Sequence, residues 1–178
     1  MWQDDTFNSY FAGTSGEFIT TSAFEDIYDN FRFFLEECDR VGCIDVMVDA
    51  TNGTGGLAGR MLEEIRDDVG QCIMPVWLFT DPNQDILNGV NTGGEGGKAA
   101  VVKEAGIPLA YSTLYQSASV LIPVDTTALL RYAHPEGIFS TFRSSALAAS
   151  AIEVALSSTL LDPGGGLSLQ DVEASSGM

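Results

Sequence analysis

Basic residues are scarce in this sequence. Eight Lys and Arg residues stand against 25 Asp and Glu residues, which gives a formal charge of −17 at pH 7. No cluster of basic side chains interrupts this acidic field. Because polyanions are repelled by such a surface, the composition argues against nucleic acids and anionic membranes as direct partners.

Cysteine and histidine are scarce as well, and their spacing argues against a zinc site. Cys38, Cys43 and Cys72 are odd in number and show no paired metal-ligand spacing, and His134 is the only histidine. We expect reduced, mostly buried thiols of a cytosolic protein and a histidine that caps or packs rather than reacts. No metal site is predicted.

The sequence also lacks a long uninterrupted apolar run. No charged segment followed by an apolar one opens the chain, so no secretory signal is visible. The most apolar stretch, Ile138 to Leu161, contains Arg143, Glu153 and many serines, which is not typical of a membrane span. Its small and apolar residues occur on all sides at helical spacing, so it is predicted to be a long buried helix.

The apolar content is sufficient for a folded core. The 178 residues are 45% hydrophobic, which is typical of one soluble domain. Residues 1–21 are predicted to be an irregular lead-in packed by its aromatic side chains. Residues 22–161 form the predicted α/β domain, and the Gly- and Ser-rich residues 162–178 are predicted to be a flexible tail.

The most informative stretch runs from Cys43 to Ile65. It begins with β-forming residues, continues through a small-residue loop from Thr51 to Gly56, and favours helix from Leu57. Glycines at such a junction let backbone N–H groups approach an anion, and the positive end of the helix dipole points the same way. Gly53, Thr54, Gly55 and Gly56 are therefore a candidate phosphate-binding loop.

The remaining patterns predict the other elements of the domain. The predicted helices are Ser22 to about Gly42, Leu57 to Val69, Ile107 to Ala118, Asp125 to Tyr132 and Ile138 to Leu161, and the predicted strands are Ile44 to Val48, Cys72 to Phe79 and Ser119 to Val124. Pro75 suggests an edge strand or a bulge, and Pro108 is expected in the first turn of its helix. Gly70 is expected to stop the helix that begins at Leu57, and Asp125 is expected to cap the short helix that ends at Tyr132. Asn83 to Gly97 is predicted to be a long polar loop.

Two other stretches of the sequence resemble nucleotide-binding motifs. Gly53 to Ala58 also satisfies G-x-G-x-x-A, with Asp81 where a ribose-binding acid would lie, which keeps an NAD(P)-binding Rossmann enzyme open as an alternative. Against it, three residues separate the strand from the first glycine, and no catalytic constellation follows. The run from Gly93 to Lys98 lacks the first glycine and the final Ser or Thr of a P-loop, so we reject that motif.

The order of the motifs resembles the nucleotide domain of tubulins, and more closely the misato family of tubulin-like proteins. The resemblance covers roughly residues 24–160. The segments that carry it are Leu35-Glu-Glu-Cys-Asp39, Asn52-Gly-Thr-Gly-Gly-Leu-Ala-Gly59, Ile73-Met-Pro-Val-Trp-Leu-Phe-Thr-Asp-Pro82, Ala110-Tyr-Ser-Thr-Leu-Tyr-Gln-Ser-Ala-Ser119 and Ser144-Ser-Ala-Leu-Ala-Ala-Ser-Ala151. It implies a Rossmann-like, three-layer α/β fold with a small, mostly parallel sheet and a long buried helix. Because misato proteins carry sequence on both sides of this segment, the fold is expected to be incomplete, with some sheet and helix surface uncovered.

The resemblance also implies a degenerate nucleotide-binding loop. Gly53, Thr54 and Gly55 match the tubulin pattern G-G-T-G-S-G, whereas Asn52 replaces its first glycine and Leu57 stands at its last. The positions at which tubulins read guanine with asparagine fall on Thr126 and Ser140, which lack a carboxamide. One loop does not suffice for phosphoryl transfer, so the chain is predicted not to be an enzyme. No cofactor is expected, with GTP as the alternative.

The function implied by the resemblance is a non-enzymatic role in mitochondrial distribution, morphology and inheritance, extending to microtubule or spindle organisation. The implied partners are proteins, with tubulin or a chaperonin suggested by the family, and the implied location is the cytoplasm with mitochondrial association. The alternatives are a guanine-nucleotide-binding, tubulin-like GTPase and the NAD(P)-binding enzyme.

Overall fold

The computed structural model describes residues 7, 9–15, 22–39, 41–70, 72–80, 95–133 and 141–160. The elements in chain order are helix α1 (Tyr10–Thr14), helix α2 (Ser22–Glu36), strand β1 (Val46–Asp49), helix α3 (Gly53–Val69), strand β2 (Pro75–Thr80), helix α4 (Glu95–Ser117), strand β3 (Val120–Asp125), helix α5 (Thr126–Ala133) and helix α6 (Thr141–Leu160). Strands that alternate with helices are typical of a parallel α/β fold.

The three strands form one parallel sheet in the order β1-β2-β3. Val46 lies opposite Val76, and Val76 lies opposite Leu121. The predicted small parallel sheet is therefore confirmed. Strand β2 is central, and its first four residues are buried, as expected for an apolar run covered on both faces.

The predicted edge position of Pro75 is wrong. Pro75 lies in the central strand, opposite Val120 of β3. It is the first residue of β2, a position where the missing N–H of a proline interrupts the ladder least. Prolines in sheets occur on edge strands, at bulges or as the first residue of a strand, and Pro75 is an example of the last of these.

Apolar clusters lie on both faces of the sheet, which gives the predicted three layers. On one face Val48, Val76 and Leu78 pack with Leu62 and Ile65 of α3 and with Ala110 and Leu114 of α4. On the other face Trp77 and Val124 pack with Ala148 and Ile152 of α6. The first turn of α3, which contains the glycines, lies on the face of the sheet that α3 and α4 cover.

Helix α6 corrects the prediction of a long buried helix. It spans Thr141–Leu160, and a single stripe of its side chains, Ser144, Ala148 and Ile152, is buried. Phe142 is 84% exposed and Val154 is 70% exposed. Residues spaced by four fit one contact face of a helix, so the other faces have no cover among the described residues. None of the described helices is long and apolar enough to cross a membrane.

Helix α4 is longer than the sequence predicted. It begins at Glu95, inside the segment predicted to be a loop, and Pro108 lies within it rather than in its first turn. Proline removes one helical hydrogen bond, so tertiary contacts must hold the helix across this position. Ala110 and Leu114, just after the proline, are completely buried and provide such contacts.

The capping residues behave as predicted. The Asp125 carboxylate accepts a hydrogen bond from the Ala128 N–H at 2.9 Å and so caps α5. Gly70 ends α3 with a φ of 64°, in the left-handed region that favours glycine, and its N–H donates to the Arg66 carbonyl. Helix α2 ends at Glu36, six residues before the predicted end at Gly42.

Arg66 connects three chain segments beneath the sheet. Its guanidinium donates to the carbonyl oxygens of Cys72 at 2.6 Å and Ser117 at 2.5 Å, and to that of Gly70 at 3.1 Å. It also reaches the Ser119 hydroxyl, which accepts a hydrogen bond from the Met74 N–H. The planar guanidinium therefore holds the segments that enter β2 and β3 next to the end of α3.

We predict that Arg66→Lys lowers the free energy of unfolding by about 1–3 kcal/mol, because an ammonium group cannot reproduce the fork of donors and leaves carbonyls unpaired. The matched control is Arg60→Lys. Arg60 is exposed and bonds only to Glu63 and Glu64 of its own helix among the described contacts, so the change should stay within about 0.5 kcal/mol. Urea unfolding followed by circular dichroism measures both variants; equal destabilisation would show that Arg66 does not act through its donor geometry.

Candidate functional site

The candidate phosphate-binding residues lie in the first turn of helix α3. Gly53, Thr54, Gly55 and Gly56 all have helical backbone, and the three glycines are buried. The open loop predicted from Thr51 to Gly56 is therefore wrong for most of its length. The helix begins early because the Asn52 side chain caps it, accepting a hydrogen bond from the Thr54 N–H at 2.8 Å.

An acidic side chain occupies the position next to this turn. The carboxylate of Asp49, the last residue of β1, accepts hydrogen bonds from the Thr51 N–H at 2.8 Å, the Thr51 hydroxyl at 2.6 Å and the Asn52 side-chain amide at 2.8 Å. The Thr54 hydroxyl donates to the Asp49 carbonyl. A phosphate approaching here would therefore meet a negative charge that already holds these donors.

Helix α1 covers the same turn from the other side. A Cβ atom added to Gly13 would lie 1.8 Å from the Gly53 carbonyl oxygen, and one added to Gly56 would lie 2.4 Å from the Tyr10 carbonyl oxygen. The two helix backbones are thus in direct contact. The glycines permit this contact, and the surface that a phosphate would need is covered by the chain itself.

A hydrogen bond fixes the position of α1. The hydroxyl groups of Tyr10 and Thr113 lie 2.6 Å apart, which joins α1 to α4. Gly59 makes room for the same threonine, because a Cβ atom on Gly59 would lie 2.5 Å from the Thr113 methyl group. At the front of the turn, a Cβ atom on Gly53 would lie 2.9 Å from the Phe7 ring. Phe7 and α1 therefore close over the start of α3.

The other proposed nucleotide contacts are only partly described. The Thr126 hydroxyl donates to the Thr80 carbonyl at 3.3 Å, at the carboxyl end of the sheet. Ser140, Asp81 and His134 lie outside the described residues, so their positions do not enter the site. Thr126 and Ser140 correspond to the positions at which tubulins read guanine. Of these two residues, only Thr126 is described, and its hydroxyl is already hydrogen-bonded.

The cysteines differ from the prediction in their burial. Cys38 and Cys43 are exposed, and Cys72 is buried. Loss of hydration around the thiol, with contributions from Asp45 and Cys72, raises the pKa of Cys43 to about 11, so its reactive thiolate is rare at neutral pH. Exposure alone therefore does not make Cys43 a nucleophile.

Sequence reasoning missed the residues that cover the turn. Tyr10, Gly13 and Asp49 have no motif of their own, and their roles depend on distant partners. The only available signals were the two glycines in the lead-in and the aspartate directly before the small-residue stretch.

The sequence is similar to those of known proteins. A model of the tubulin domain matches residues 4–161. Protein dml-1 of Neurospora crassa is 33% identical over 140 residues, which cover 78% of this chain and 25% of the relative. Protein misato of Drosophila melanogaster is 34% identical over 68 residues, covering 38% of this chain and 9% of the relative. Misato homolog 1 of Danio rerio is 39% identical over 46 residues, which cover 26% of this chain and 8% of the relative. The matched region thus spans a quarter or less of these relatives.

We predict that Gly13→Ala displaces α1 and lowers the free energy of unfolding by about 1–3 kcal/mol, because the added methyl group would overlap the Gly53 carbonyl. Gly42→Ala is the control, since a Cβ atom there would have no neighbour within 4 Å. Urea unfolding measures stability, and limited proteolysis with mass spectrometry measures cleavage between Ser9 and Ser15. Unchanged stability and unchanged cleavage in Gly13→Ala would contradict the packing described here.

Proposed function

The chain belongs to the tubulin-domain family and, within it, to the misato group, and on that premise we propose that it is a non-enzymatic protein of mitochondrial distribution, morphology and inheritance. The relatives are much longer than the matched region, so their activities are carried to this chain as a proposal. The mechanism is a protein-binding surface on a scaffold derived from a nucleotide-binding fold.

The observation that carries the non-enzymatic part is the covered glycine turn. The contact of Gly13 with Gly53 leaves no space for a phosphate on one side of the turn. The Asp49 carboxylate holds the donors on the other side. A nucleotide would have to displace a packed helix and approach a like charge, and both processes oppose binding.

The charges near the turn also support the non-enzymatic proposal. Phosphoryl transfer needs several groups that neutralise the charge on the transferred phosphate. The nearest described arginine on α3, Arg60, is exposed and paired with Glu63 and Glu64. The composition adds an overall charge of −17, which further disfavours an anionic substrate.

The proposed partners are proteins, with tubulin or a chaperonin suggested by the family, and the proposed location is the cytoplasm with mitochondrial association. A role in microtubule or spindle organisation is part of the same proposal. Exposed aromatic side chains support a binding role. Phe33 and Phe34 of α2 are both exposed, and their rings meet edge to face with centroids 5.7 Å apart.

We predict that GTP, GDP, NAD and NADP do not raise the melting temperature, whereas a true ligand at a hundredfold excess over its Kd would add about 2.7 kcal/mol of stability. GTP hydrolysis by the protein should equal the buffer background. If any GTP hydrolysis is detected, Thr54→Val shows whether it arises at the turn, because this variant removes the Thr54 hydroxyl but adds no bulk. Gly55→Asp is less suitable, because its Cβ would lie 3.2 Å from the Ala110 methyl group. Hydrolysis above background that Thr54→Val lowers would overturn the non-enzymatic assignment.

We predict that cells depleted of this protein show clustered or unevenly inherited mitochondria, because the proposed surface would no longer link its partners. Fluorescence microscopy of the mitochondrial network measures the effect. Re-expression of the wild-type chain should restore the normal distribution, and so should Thr54→Val if no nucleotide chemistry is involved. A normal mitochondrial distribution in depleted cells would refute the proposed role.

A further inference from the structure

Asn52 is followed by Gly53, and an asparagine that precedes a glycine can modify itself. The backbone nitrogen of Gly53 attacks the side-chain carbonyl carbon of Asn52, and glycine has no side chain that hinders the approach. The Gly53 N–H proton is transferred to the amide nitrogen, which leaves as ammonia, and a five-membered succinimide remains. Water then opens this ring to aspartate or to isoaspartate, in which the main chain runs through the former side chain.

In the folded chain the Asn52 carboxamide is held on both sides. Its oxygen accepts a hydrogen bond from the Thr54 N–H at 2.8 Å, and its nitrogen donates one to the Asp49 carboxylate at 2.8 Å. Ring closure must move the carboxamide carbon toward the Gly53 nitrogen, which disturbs both bonds. The charge of Asp49 also repels hydroxide, the base that removes the backbone proton.

Gly53 is held as firmly as the asparagine. It is buried in the first turn of α3 and has helical backbone. A Cβ atom added to Gly13 would lie 1.8 Å from the Gly53 carbonyl oxygen, and one added to Gly53 would lie 2.9 Å from the Phe7 ring. Contacts this close leave the Gly53 peptide little room to move and keep water away from it. The folded junction therefore opposes a reaction that the dipeptide itself favours.

Helix α1 is the part of this junction that opens most readily. It has five residues, and a helix of this length is not stable without tertiary contacts. A hydrogen bond between the hydroxyl groups of Tyr10 and Thr113, 2.6 Å apart, joins it to α4. Segments held by few contacts open locally at a lower free energy than the core does. Opening of α1 removes the cover from Gly53.

The reaction products do not fit the closed junction. Aspartate at position 52 places a second carboxylate against Asp49, where an amide nitrogen now donates at 2.8 Å, and the two negative charges repel each other. Isoaspartate adds a methylene group to the main chain before Gly53 and shifts this residue relative to Gly13. That contact has no room for a single added atom.

We propose that Asn52-Gly53 is a self-modification site that the contact between α1 and α3 keeps unreactive, and that deamidation after α1 opens prevents α1 from returning. The reaction converts a reversible opening into a permanent one. Its only co-reactant is water. This inference rests on the junction alone and does not depend on the mitochondrial role.

The first test compares the full chain with a synthetic peptide of residues 41–60 in the same neutral buffer. Trypsin cleaves after Arg40 and Arg60, and the peptide between them contains no asparagine other than Asn52, so mass spectrometry measures deamidation at this residue. We expect the full chain to react at least about tenfold more slowly than the peptide. Equal rates would overturn the proposal.

Variants show whether α1 provides the protection. Gly13→Ala should raise the rate of Asn52 deamidation about tenfold, whereas Gly42→Ala, where a Cβ atom meets nothing within 4 Å, should react like the wild type. If Gly13→Ala does not fold by circular dichroism, Tyr10→Phe serves instead. It removes only the hydroxyl bonded to Thr113 and should raise the rate about threefold. A folded α1 variant that reacts at the wild-type rate would refute the role of α1.

Chymotryptic cleavage at Tyr10 and Phe11 tests whether α1 returns. The chain is unfolded in urea, deamidated and refolded, with Asn88→Gln present to remove the other Asn-Gly pair. The control carries Asn52→Ser as well, which keeps an N-cap side chain but cannot deamidate. The deamidated chain should be cut about fivefold faster than this control. Asn52→Asp replaces the deamidated chain if that chain does not refold, and cleavage at the control rate would contradict the permanent opening.

Discussion

The contact between Gly13 and Gly53 determines what the start of α3 can do. Two helix backbones meet there at a distance that no side chain permits, and Tyr10 extends the contact to α4 through Thr113. Burial of this junction removes apolar surface from water without using any large side chain at the contact itself. The glycines that resemble a phosphate-binding loop are therefore buried, and they serve the packing of α1 on α3.

The sequence predicted the features that depend on local chemistry. The Asp125 cap, the stop at Gly70 and the parallel β-rich runs were identified correctly, because each depends on residues within one or two turns of chain. The family resemblance was also correct, since it used the order of several weak motifs. Local signals of this kind do not require knowledge of the neighbours in space.

The features that sequence failed to predict depend on distant partners. A glycine that makes room for another backbone has the same pattern as one that makes room for an anion, and only the position of α1 distinguishes them at Gly53. The small residues of α6 predicted that other elements would pack on all sides of this helix, yet only the stripe through Ala148 and Ile152 is buried among its described side chains. The start of α4, Glu95 to Gly97, was included in the predicted loop because glycine has low helix propensity, and Pro108 was taken to mark the first turn of a shorter helix.

The order of the strands in space is also their order along the chain. During synthesis on a ribosome, β1 and α3 emerge before β2, and β2 emerges before β3, so each new strand meets a neighbour that is already available. Among the three described strands, none has to be inserted between two that have already paired. This part of the sheet can therefore grow in one direction as translation proceeds, and the nascent chain need not rearrange the β1–β2 ladder to add β3.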